Sequence, residues 1–99
     1  MHKPQDFTRI QDVLRKAEEL IHLNKLTESE TLLASIEGEN IAGFWFLKGL
    51  LKQKAHIWGE AINCFNKCLD LDPNHNKAAA GIEICKSILN FWNPSLYNP

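Results

Sequence analysis

Residues 41–74 read IAGFWFLKGLLKQKAHIWGEAINCFNKCLDLDPN, and two helical patterns follow one another within them. The first, about Ile41 to Lys54, holds Phe44, Trp45, Phe46, Leu47, Leu50 and Leu51. These wrap more than one face, so the helix is either sandwiched or offers an apolar surface to a partner. The second, about Trp58 to Asp70, carries Ala61, Ile62, Phe65, Cys68 and Leu69 on one stripe, the spacing of an amphipathic helix. Asp72-Pro73-Asn74 stops it, because proline disfavours helix in the residue before it.

Upstream, Phe7, Ile10, Val13, Leu14, Ala17, Leu20 and Ile21 recur every three or four residues and predict another amphipathic helix. Asp6 is its candidate N-cap, and Asn24-Lys25 breaks the pattern. Thr27-Glu28-Ser29-Glu30 has the form of a capping box opening the next helix, with Leu32, Leu33 and Ile36 on its apolar face. Gly38 is expected to end that helix in the left-handed conformation.

Downstream, about Asn76 to Trp92 carries two stripes. Ala78, Ile82, Cys85, Leu89 and Trp92 form one; Ala80, Ile84, Ile88 and Phe91 form the other. Asn93-Pro94 ends this helix, and the tail beyond it holds Leu96 and Tyr97. No period-two alternation or Asn-Gly or Asp-Gly hairpin turn appears. The expectation is an all-α fold of five mutually antiparallel helices.

The chain is also self-similar. A shift of 32 residues carries Val13 onto Trp45, Ala17 onto Gly49, Leu26 onto Trp58 and Glu28 onto Glu60. It carries Ser29 onto Ala61, Leu33 onto Phe65 and Ile36 onto Cys68. A period in this range marks stacked helical hairpins. Trp45, Gly49, Ala61, Phe65 and Pro73 stand at the spacings of the tetratricopeptide repeat, which residues 41–74 therefore resemble. In that pattern Gly49 and Ala61 are small where two helices cross, and Trp45 and Phe65 fill the space beside the crossing. Lys48 and Lys52 depart from it, standing where the family has Leu and Tyr; their stems are expected to lie along the helix with the heads in water. Residues 8–40 form a degenerate first repeat, with Ser29 for the small Ala and no closing Pro, and 75–92 a capping helix. The resemblance thus implies one domain over 1–99, two repeats stacked as a short superhelix with that cap and a tail over 93–99. The close, Ile88 to Asn93 followed by Leu96-Tyr97-Asn98, is similar to that of small stand-alone bacterial two-repeat members of the family.

Composition bounds the function. The 99 residues are 44% apolar, with 11 basic and 12 acidic side chains and a formal charge of −1. No basic stripe points to nucleic acid. The longest apolar run, Ile41 to Leu47, is too short to span a bilayer, and the N-terminus lacks the apolar run of a signal peptide, so a cytoplasmic protein is expected. Three cysteines without paired spacing predict neither a disulfide framework nor a metal site, and no cofactor is implied. No phosphate loop, His-Glu-x-x-His or nucleophile elbow is present, so no catalytic residue is assigned. Glu18, Glu19, Glu28 and Glu30 read as solvated or capping charges, and His22 and His56 as surface residues favoured by the dipole at helix ends.

The expected function is polypeptide binding without catalysis. The resemblance places the groove on Leu14, Glu18 and Ile21, on Phe46, Leu50 and Gln53, and onward over Ala80, Ile84 and Ile88. Leu14 and Glu18 stand where relatives that clamp a terminal carboxylate use Lys and Asn, so that ligand is not expected. The alternative is a self-associating homodimer, through Phe91, Trp92, Leu96 and Tyr97, since two repeats are few for a stable array. Trp92, Leu96 and Tyr97 are expected to dock on the chain's own helices or on a second copy. Ala61→Leu is expected to overpack the crossing and cost about 1–3 kcal/mol; unchanged thermal stability would count against the repeat register.

Overall fold

A computed structural model describes residues 7–92, and the architecture is all-α. Among these residues the elements are α1 (Phe7–His22), α2 (Leu26–Leu33), α3 (Ala42–Lys54), α4 (Trp58–Leu71) and α5 (Asn76–Trp92). α1 pairs with α2 and α3 with α4 as helical hairpins, α1 and α2 both touch α3, and α5 packs on α4 and α3. Asp6, Leu96 and Tyr97 lie outside the described residues.

One core runs through both hairpins. Phe65 and Ala61 of α4, Ala17 of α1, and Ala78 and Cys85 of α5 are all fully buried. Phe65 holds the centre. A methyl group built on Gly49 would stand 2.5 Å from its ring, and one on Gly81 would stand 2.6 Å away. The phenyl ring of α4 therefore sits between the backbones of α3 and α5. Burying such a side chain contributes roughly 1.5–3 kcal/mol. Gly49 thus meets Phe65, and Trp45 does not fill the centre beside it: Trp45 is half-buried, with its indole N–H donating to the Glu39 carbonyl at 2.9 Å. In the first hairpin Ser29 is fully buried at the position of Ala61. Its hydroxyl donates to the Ala17 carbonyl at 2.9 Å, which offsets the cost of burying it.

The two hairpin turns are built from backbone. Asn24 and His56 have φ of 62° and 63°. The amides of Asn24 and Lys25 donate to the Ile21 and Leu20 carbonyls, and those of His56 and Ile57 to the Gln53 and Lys52 carbonyls. Each pair of bonds is a Schellman closure with a non-glycine residue at its left-handed position.

These turns correct the expected capping box. α2 starts at Leu26 behind Lys25, which makes no side-chain cap, because the closure passes the chain directly into the next helix. The Lys25 carbonyl already accepts the Ser29 amide at 3.1 Å. Gly38 is corrected too. α2 ends at Leu33, and Gly38 has no positive φ. Gly38 is instead buried beneath the Phe44 ring, where a side chain has no room. Ile36 lies beyond the helix yet is buried.

The two stripes of α5 separate as their spacing predicts. Ala78, Ile82 and Cys85 face the core, whereas Ala80 and Ile84 are exposed. Phe7 and Trp92 are 72% and 71% exposed, so neither joins the core, and of the two dockings expected for Trp92 the one on its own chain is not seen. Both lie at helix ends, where few neighbours remain to cover a large side chain.

Gly59 has open space where a methyl group would go. Gly81→Ala is therefore expected to lose about 1–3 kcal/mol to overpacking, while Gly59→Ala gains up to about 1 kcal/mol from backbone entropy. Urea unfolding monitored by circular dichroism measures both, and equal effects would contradict the wedge.

Candidate polypeptide-binding groove

Helices α1, α3 and α5 are the alternate elements of the stack and share one side of it. Glu18 and Ile21 from α1, Phe46, Leu50 and Gln53 from α3, and Ala80 and Ile84 from α5 line one hollow of about 500 Å³. Leu14 lines an adjoining hollow of about 300 Å³, which shares Glu18, Phe46 and Lys77 with the first. The structure thus brings together the expected residues of three helices separated in sequence. Ile88, half-buried one turn beyond Ile84, stands outside both linings.

The floor of the groove is apolar and supported from below. Phe46 is only 8% exposed and packs on Phe65, ring centroids 5.9 Å apart. Leu50 is half-buried and Ile84 is 49% exposed, so apolar surface faces water here. The rim is polar. His22 Nε2 lies 3.9 Å from Glu18 Oε2, an ion pair when the imidazole is protonated. Lys54 and Lys77 stand on the α3 and α5 walls.

Four residues lining the larger hollow escaped sequence reasoning: His22, Lys54, Lys77 and Gly81. Gly81 was within reach, because it follows Gly49 by the same 32 residues that separate Gly49 from Ala17. His75 escaped as well, and it joins the groove to α5. Its Nδ1 accepts the Ala78 N–H at 3.1 Å, as an N-cap side chain does. Its ring lies 4.8 Å from the Phe46 ring. Asp72 forms the turn before it, taking the His75 amide on its carbonyl and the Asn74 amide on Oδ1.

The chemistry available elsewhere is slight. Cys64, Cys68 and Cys85 are buried free thiols. Burial pushes all three up, and for Cys68 burial together with Asp72 raises the thiol to about 11. At neutral pH they are protonated, poor nucleophiles and poor ligands. Among the described residues no group of three or more His, Cys, Asp or Glu side chains is placed to hold a metal ion. His22 is exposed in the last turn of α1, as its place near a helix end predicts. His56 is exposed as well, at a left-handed turn position just past α3, and stacks on Trp58 at 5.1 Å.

No family model, no curated protein and no solved structure matches the chain.

The bond to His75 predicts that His75→Ala removes a cap and lowers stability by about 0.5–2 kcal/mol. His75→Asp, a strong capping residue, is expected to retain most of it. Thermal melts of the two variants check this, and equal losses would show that the cap contributes nothing.

Proposed function

We propose that this chain is a non-catalytic binding module that holds a segment of another polypeptide in the groove of α1, α3 and α5. The observation that carries the reading is the floor itself. Phe46, Leu50 and Ile84 come from two helices far apart in sequence, yet they line one open hollow with exposed apolar surface. Surfaces of this kind mark interaction sites more often than they serve folding. Internal repetition, visible both in side chains and in the turns, supports the further reading of a short tetratricopeptide-like stack with α5 as its closing helix. Polar groups on the rim set orientation, and the apolar floor supplies most of the affinity.

Three buried, unpaired thiols fit a reducing compartment, which supports a cytoplasmic location. Among the described residues no helix is long and apolar enough to cross a membrane.

A second reading has its own observation. Phe91 and Trp92 form an edge-on aromatic pair at 5.2 Å, 76% and 71% exposed. An aromatic pair left in water at a helix end suits a contact with a second copy of the chain. This reading makes a homodimer through the end of α5.

An array of random 15-residue peptides, probed with labelled protein, tests the first reading. Leu50→Asp and Ile84→Asp should each weaken captured peptides by at least about tenfold, the 1.4 kcal/mol expected of a lost apolar anchor. Phe91→Asp should leave them bound. Peptides retained by both groove variants would refute the groove. Light scattering tests the second reading, since Phe91→Asp should abolish any dimer.

A further inference from the structure

α3 has a second lined side. Phe44, Lys48, Leu51 and Lys52 border a separate cavity of about 270 Å³, closed from α2 by Glu30 and Leu33. It shares no lining residue with the groove. Leu33, Phe44 and Leu51 are buried and give it an apolar floor.

The cavity has a cause in the repeat. Lys52 follows Leu20 by the 32-residue repeat distance. Leu20 is buried in α1. A lysine in that place carries its head away from the apolar space, and Lys52 Nζ reaches Glu60 Oε1 at 3.2 Å. Lys48 Nζ lies 5.4 Å from the centre of the Phe44 ring and 5.6 Å from that of Trp45. Its head is therefore held at ring faces by the π-systems. It has no carboxylate partner among the described residues. The stems leave the space between the two hairpins unfilled.

The charges on the two walls differ. Lys48 and Lys52 stand on the α3 wall, Lys52 already paired with Glu60, while α2 presents Glu30 across the cavity. A single anionic head placed by α3 gains from Lys48 and avoids Glu30. A cation meets the lysines, and a neutral head leaves Lys48 uncompensated.

We propose that this cavity binds a small amphipathic monoanion, a short alkyl or aryl carboxylate, with its apolar body on Leu33, Phe44 and Leu51 and its carboxylate toward Lys48. The size is suitable: a dry cavity of about 150 Å³ accepts benzene, so this one holds a chain of about six to eight carbons.

Hexanoate and 1-hexanol, equal in apolar body and different in charge, are the probes. Each is titrated into the full chain, and the methyl resonances of Leu33 and Leu51 are followed by NMR. Hexanoate should saturate one site and bind about fivefold or more tighter than hexanol, the scale of a partly screened ion pair. Added salt should shrink that preference. Lys48→Met should abolish it without changing hexanol binding. Ala34→Phe, at the cavity wall, should block both probes. The proposal is overturned by equal affinities, by no saturation on the order of 10 mM, or by shifts centred on Leu50 and Ile84 of the groove. The salt series on the unaltered chain keeps the test decisive if a variant does not fold.

Discussion

The ring of Phe65 between Gly49 and Gly81 is the contact on which the other helices depend. It fixes how closely α4 approaches α3 and α5 at once. Side chains in protein interiors pack like a crystal, so a ring enclosed on both sides cannot shift without moving both helices. Phe46 rests on the same ring and floors the groove. The hollow between α1, α3 and α5 thus inherits its shape from the core beneath it.

The hairpins solve one problem in two ways. The second buries Ala61 and seats Phe65 against Gly49, with no polar side chain at either place. The first places Ser29 there and returns its hydroxyl to the Ala17 carbonyl. A hydroxyl so satisfied costs little, whereas an unpaired one costs roughly 1–3 kcal/mol. The first hairpin thus differs from the second in residue type, while both keep this position fully buried.

Much of this fold was legible from the amino acids alone. The helices of residues 41–74, and the division of α5 into a buried and an outward stripe, follow from spacing. That Glu18, Ile21, Phe46, Leu50, Gln53, Ala80 and Ile84 share one hollow was legible through the 32-residue shift. Legibility failed where the backbone acts. Thr27 and Glu30 match a capping motif, yet the Lys25 amide bond to the Leu20 carbonyl had already decided where α2 begins. Gly38 looked like a left-handed stop, but its need for glycine comes from Phe44, a neighbour known only in three dimensions. His75 could not be singled out, since its value comes from reaching Ala78 and Phe46 together.

The paired turns at Asn24 and His56 bear on how such a chain can change. Their closing bonds run from amide to carbonyl, and the left-handed position of each is held by Asn or His, side chains that tolerate it better than most. The bend of each hairpin is then inherited through hydrogen-bond topology rather than through letters. Two copies of such a unit can drift apart in spelling, one acquiring lysines and the other a serine, while their curvature stays matched. Divergence is free to act on the faces between the bends, which here bear the groove and the cavity.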